Sequence, residues 1–170
     1  MLLVAALAAT LSHHFHPRAH RLTLSDGTAF YYRSGSSIIP AAGFPHPREV
    51  RLDGEFYIES PPAPQPLELR SRLLVVTVTG AAQLRVTAFS HRAGEEVDIL
   101  AGHAQAMKAY DSPHREPDIL ERGEMSMVNR DIDLMEKERC DLVELQRWAN
   151  ALVTSAAGPA GNRRRGENNE

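Results

Sequence analysis

Arg48-Glu49-Val50-Arg51-Leu52-Asp53-Gly54-Glu55-Phe56-Tyr57-Ile58-Glu59 is the stretch on which the fold turns. Apolar and polar residues alternate on both sides of its centre, the period of a half-buried strand. Asp53-Gly54 between them is a two-residue turn signal, so the stretch predicts a hairpin with Gly54 at φ > 0. The same pattern continues in both directions. Upstream, Arg21-Leu22-Thr23-Leu24 alternates, Ser25-Asp26-Gly27-Thr28 turns, and Ala29-Phe30-Tyr31-Tyr32-Arg33 resumes as a strand. Ile38-Ile39 follows a Ser34-Gly35-Ser36 turn, and residues 40–47 form a Pro/Gly loop. Downstream, residues 60–66 hold four prolines' worth of missing ladder donors (Pro61, Pro62, Pro64, Pro66) and cannot join a central strand.

Residues 73–79 are a continuous β-branched run, the mark of a buried strand. Residues 83–89 alternate, Arg92-Ala93-Gly94 turns, and residues 95–100 return. Short strands are expected around 118–120 and 125–128. Strands of this length, spaced by turns, predict an all-β fold: an antiparallel β-sandwich or jelly-roll-like domain with one short C-terminal helix. Asp141 opens that helix as N-cap, with Glu144 in capping-box position. Leu142, Leu145, Ala149 and Leu152 form one stripe with Trp148 beside it, able to pack on a sheet or to dock a partner. The expected organisation is a residual transmembrane or signal segment and His-rich linker over 1–20, a β domain over 21–137, the helix over 138–155 and a disordered tail over 156–170.

The chain has 170 residues, 42% hydrophobic and 24% charged, which fits one globular domain and excludes collagen, a long coiled coil and a polytopic membrane protein. A formal charge of −3 supplies no global basic field for nucleic acid. Arg163-Arg164-Arg165 lies among Gly, Asn and Glu and reads as solvated tail. Residues 1–11 are apolar and uncharged but shorter than the about 20 residues a spanning helix needs. They read as a signal peptide without a basic n-region, as the end of a crossing helix that begins before Met1, or as a first core strand or helix. Either export reading places the rest of the chain on the far side of a membrane.

Candidate chemistry is sparse. Cys140 has no partner for a disulfide, and its neighbours are Arg139 and Asp141, so it reads as an ordinary surface or helix-start residue. His13, His14, His16 and His20 invite a metal, but no carboxylate or thiol stands near them. Asp53 and Glu55 flank the expected hairpin tip rather than a cleft, and His103 beside Gly102 reads as a plain strand histidine. The nucleotide, hydrolase and zinc-protease motifs are absent. No catalytic, cofactor-binding or metal-binding set is expected, and the chain reads as a non-catalytic domain.

Leu24-Ser25-Asp26-Gly27-Thr28 with Tyr32-Arg33-Ser34-Gly35-Ser36 resembles the opening of FecR-type domains. The stretch from Arg48 to Glu59 resembles their R-E-V-x-L-x-G-E-A-Y-F-E-V hairpin. Val78-Thr79-Gly80-Ala81, Leu84-Arg85-Val86-Thr87-Ala88-Phe89, Ala101-Gly102-His103-Ala104 and Arg122-Gly123-Glu124-Met125 are similar to the later strands and turn, in the family's order. The resemblance runs over about 21–129. It implies a periplasmic jelly-roll-like domain of a transmembrane anti-sigma-factor regulator, the iron-citrate regulator being the type. The partners it implies are the signalling domain of a TonB-dependent outer-membrane transporter and the inner membrane, through the N-terminal apolar segment. An extracytoplasmic-function sigma factor is an expected partner only of a chain that carries a cytoplasmic segment ahead of Met1. The alternative is a free-standing periplasmic β-sandwich that binds a small ligand or carbohydrate, for which Phe30, Tyr31, Tyr32, Phe56 and Tyr57 would have to be exposed on one face.

Overall fold

The computed structural model describes residues 18–158. The expectations for the apolar start, for His13, His14 and His16 and for the arginine run concern residues outside that range. The elements in order are β1 (Ala19–Thr23), β2 (Ala29–Arg33), β3 (Ser37–Pro40), β4 (Glu49–Ser60), β5 (Leu67–Arg70), β6 (Leu74–Val78), β7 (Ala82–Ala88), β8 (Gly94–Ala101), β9 (His103–Lys108), β10 (Asp118–Glu121), β11 (Glu124–Asn129), β12 (Leu134–Arg139) and α1 (Leu142–Ala157). The all-β architecture with a single C-terminal helix is as expected. Among the described residues no helix is long and apolar enough to cross a membrane.

Two sheets make the sandwich. One runs β1-β2-β4-β7-β8-β11-β12 and carries α1 on its outer face; the other runs β3-β4-β5-β6-β9-β10. We call them the covered and the open sheet. Alternation aims one side of each strand inward: Phe30, Phe56, Ile58, Leu84, Val86, Val97 and Ile99 from the covered sheet meet Val50, Leu69, Leu74, Val76, Val78 and Leu120 from the open one. Phe30, Phe56, Leu84 and Ile99 are fully buried there.

The Asp53-Gly54 hairpin does not form. Residues 49–60 are one uninterrupted strand, and β4 belongs to both sheets. Its first part pairs with β3 and β5 in the open sheet (Ile38↔Leu52, Val50↔Leu69). From Gly54 on it pairs with β7 and β2 in the covered sheet (Phe56↔Val86, Tyr32↔Phe56). The Asp-Gly dipeptide marks a bend that carries the strand from one sheet to the other, a recognised use of glycine at sandwich corners. Gly54 does take a positive φ, 132°, but for this bend. A Cβ there would stand 2.3 Å from Ser36 Oγ and 2.8 Å from Ser36 Cα, so the β3 approach itself excludes a side chain.

Other differences are local. β5 follows the proline-rich stretch and pairs parallel with β4, the one parallel ladder among the described strands. Residues 134–139 form a strand without a local sequence signal, so 138 and 139 end β12 rather than open the helix, and α1 itself runs to Ala157. Ala19 and His20 belong to β1 rather than to a linker. The strands at 118–121 and 124–129 adjoin in sequence but lie in opposite sheets, β10 on β9 and β11 on β8 and β12.

Candidate functional site

α1 forms where the sequence places it. The Asp141 carboxylate accepts hydrogen bonds from the Val143 and Glu144 amides at 2.9 and 3.0 Å, satisfying donors that the first turn leaves free. Leu145, Ala149 and Leu152 are buried at i, i+4, i+7 spacing against Ala19, Ala29, Tyr31, Tyr57 and Leu100 on the covered sheet. Each buried leucine contributes about 1.5–3 kcal/mol. Of the two uses open to this stripe, packing on a sheet is realised by Leu145, Ala149 and Leu152, while Leu142 stays half-buried at its flank.

Under the N-terminal half of α1 lies a charged cluster. Arg85 Nε donates to Asp98 Oδ2 at 2.8 Å and its Nη2 to Asp98 Oδ1 at 3.1 Å, with Glu96 on the same guanidinium. The ring of Trp148 lies 5.5 Å from the guanidinium carbon. Burial pushes the Asp98 carboxyl up to about 6, Arg85 opposing and Glu96 adding repulsion. Burial is also what raises the Cys140 thiol above its ordinary value, with the Asp98 charge adding, so the cysteine is held as thiol and is a weak nucleophile. A polar recess of about 310 Å³ opens here between Arg85, Cys140, Glu144 and Trp148.

Three further clusters join distant segments. Arg48, with 3% of its side chain exposed, donates to Asp26 Oδ2 at 2.8 Å and to the Gln65 carbonyl at 2.6 Å, and it reaches Thr28 Oγ1 and Ser60 Oγ at 3.4 Å. Burial alone would raise Asp26; the bonds from Thr28 and Arg48 outweigh it and hold the carboxyl below its usual value. Lys108, 1% exposed, places its ammonium on Ser112 Oγ and on the carbonyl and carboxylate of Asp133. Glu95, 2% exposed, accepts from the Leu73 amide and the Ser71 hydroxyl across the sandwich. All three tie one sheet or loop to another.

The residues weighed from sequence do not converge. Asp53 accepts from the Ser90 amide at 3.0 Å, a loop contact that, with burial opposing, holds its carboxyl low. Glu55 lies past the bend, in the covered sheet. His103 Nε2 sits 2.9 Å from Thr79 Oγ1 on the surface, and His20 stacks on Tyr32 and bonds Ser34 Oγ. Among the described residues no group of three His, Cys, Asp or Glu side chains is placed to hold a metal ion. Phe30, Phe56, Tyr31 and Tyr57 are buried and only Tyr32 is half-exposed, so these aromatics form no open platform. The clusters around Arg85, Lys108 and Glu95 escaped the sequence reading; the available signal was a charged residue inside an otherwise apolar strand pattern.

Four strand edges remain. β12 carries Glu136-Lys137-Glu138-Arg139, all exposed, the usual guard against strand addition. On β10 the Ile119 carbonyl is taken by Lys137 Nζ at 3.1 Å. β1 and β3 each pair on one side, and β3 presents Ile39 with 59% of its surface exposed.

No protein-family model matches the sequence, and no curated protein sequence does. Two crystal structures of a "putative anti-sigma factor" from Parabacteroides distasonis are similar in fold, each with a TM-score of 0.67 at 23% identity. The match covers 78% of this chain and 61% of the other, so the chain spans less than two thirds of the length of those structures.

Proposed function

We propose that the chain is the extracytoplasmic receiver domain of a FecR-type anti-sigma regulator, acting by protein contact without catalysis. In this reading it lies in the periplasm, held at the inner membrane by residues 1–11. It takes a signal from a TonB-dependent transporter's signalling domain and passes it toward an extracytoplasmic-function sigma factor. The fold shared with the anti-sigma structures supports the reading. The observation that carries it is internal: Asp26 and Arg48, from two of the motifs that resemble the family's, are 22 positions apart and meet in one buried ion pair. That motifs resembling a family's in order also lock to each other in space supports the reading. The burial of the aromatics argues against the carbohydrate-binding alternative.

Isothermal calorimetry of the full chain against the signalling domain of a TonB-dependent transporter encoded beside it tests the proposal. Association at roughly micromolar to nanomolar strength is expected for a transient signalling contact. No association, together with direct binding of an oligosaccharide or siderophore, would replace the regulatory reading by that of a ligand module.

A further inference from the structure

One flank of α1 differs from the rest of the surface. The turn between β10 and β11 is drawn beneath the helix start: the Gly123 amide donates to the Ile99 carbonyl at 2.8 Å and the Cys140 amide to the Gly123 carbonyl at 3.0 Å. Gly123 has φ 83°, and a Cβ there would stand 3.2 Å from Leu142 Cδ1. This close seat holds Arg122 beside the helix. Arg122 and the helix residues Leu142, Val143, Gln146, Arg147 and Asn150 line an open groove of about 510 Å³.

Three features set the groove apart. Val143 is 70% exposed, the most exposed of the large apolar side chains described, on a helix that turns Leu145, Ala149 and Leu152 to the sheet. Leu142 lies beside it, half-buried. The side chains of Arg122 and Arg147 have no hydrogen bond, ion pair or ring contact among the described residues. Other arginines are engaged: Arg48, Arg70 and Arg85 pair with carboxylates, and Arg92 and Arg130 lie over rings. The carboxylates of α1 sit elsewhere, Asp141 on the amides of its own first turn and Glu144 in the recess with Arg85 and Trp148.

We propose that this groove is where the partner protein docks, through an acidic segment. An apolar side chain of that segment sits against Leu142 and Val143, and its carboxylates pair with Arg122 and Arg147. Charge complementarity selects this occupant: two unpaired guanidiniums flanking an apolar floor favour a segment with carboxylates flanking an apolar anchor, and disfavour basic partners. The site rests on the regulatory reading above and gives the transporter's signalling domain a place to bind.

The test repeats the calorimetric titration with the full chain carrying Arg122→Glu and Arg147→Glu together, and separately Val143→Asp. Each should weaken binding roughly tenfold or more, while Arg51→Glu, on the outer face of the open sheet, should leave it unchanged. Raising salt from about 0.05 to 0.5 M should weaken the wild type more than the double variant. Unaltered circular dichroism and thermal midpoint exclude misfolding, because all three positions are exposed or half-exposed. A wild type that binds with variants that bind equally well overturns the groove and leaves the regulatory reading standing. A wild type that does not bind overturns both. Arginine-dependent sedimentation with phosphatidylglycerol vesicles, with no effect of the variants on the signalling domain, would overturn a protein occupant in favour of a lipid surface.

Discussion

The two sheets of the sandwich share a core and a strand, yet they face the world differently. On the covered sheet the outward positions are Tyr31, Tyr57 and Leu100, which α1 buries to 6% exposure or less. On the open sheet the outward positions at similar depth are Thr77, Gln105 and Glu68, half-exposed or exposed. Sequence records the difference as a change of period. β2 and β4 past its bend, beneath α1, read as short continuous apolar runs, while β5 and β9, with one wet face, alternate. β7 alternates although it lies in the covered sheet, and β6 is an apolar run in the open one, with Val75 5% exposed. The helix therefore accounts for the apolar runs of β2 and β4, though not for the reading of every strand.

The largest effect is expected where the two halves are bolted. Arg48→Met leaves Asp26 buried without its cation, and chemical denaturation should show a loss of about 3–5 kcal/mol. Adding Asp26→Leu should recover part of it; a single variant as stable as wild type would mean that the halves are held by the core alone. Next comes the contrast between the outer faces. Tyr57→Ala or Leu152→Ala should cost about 2–4 kcal/mol, whereas Gln105→Ala or Thr77→Ala should stay within about 0.5 kcal/mol. Equal losses on both faces would mean that the helix protects the covered face no better than solvent serves the open one. Gly54→Val should cost more than about 1 kcal/mol, since the φ of 132° disfavours any side chain and Ser36 occupies the space. An unchanged thermal midpoint would show that β4 can bend at another residue.

The smallest effect is a pair of opposing pH dependences. Asp98, pushed up to about 6, holds its proton more tightly folded than unfolded. Its contribution is thus fully present below the unfolded value of about 4 and declines as pH rises toward 6. Asp26, held low, behaves in the opposite sense: its contribution is present above about 4 and is lost as pH falls through its folded pKa. Urea midpoints between pH 3 and 7 should therefore show a decline from about 4 to 6 that Asp98→Asn flattens, and an acid-side loss that Asp26→Asn flattens. Reversed slopes would put the burial effects the wrong way round.

Much of this architecture was legible in the chain. The turn at Asp26-Gly27, the strands over β6, β7 and β8, and the helix cap at Asp141 all follow from local chemistry. The errors have a common cause in partners distant along the sequence. Asp53-Gly54 has the composition of a turn, and only the neighbouring strands show it to be a bend between sheets. Leu67-Glu68-Leu69-Arg70 is too short to announce itself after a proline-rich loop, and Leu134–Arg139 is charged because it is an edge. The Arg85 cluster was illegible for the same reason. Arg85 and Asp98 are 13 residues apart and become neighbours only through the β7–β8 register.

The strand common to both sheets has a mechanical consequence. A pull on Ile39's strand passes along the backbone of residues 49–60 to the strand of Tyr32, with no loop between to absorb it. Neither sheet can peel away while the other stays whole, because each would take half of β4 with it. The domain should melt in one step, its calorimetric and van't Hoff enthalpies agreeing. A force or a partner that loosens one edge is then felt throughout the sandwich, as displacement along a single stiff spar.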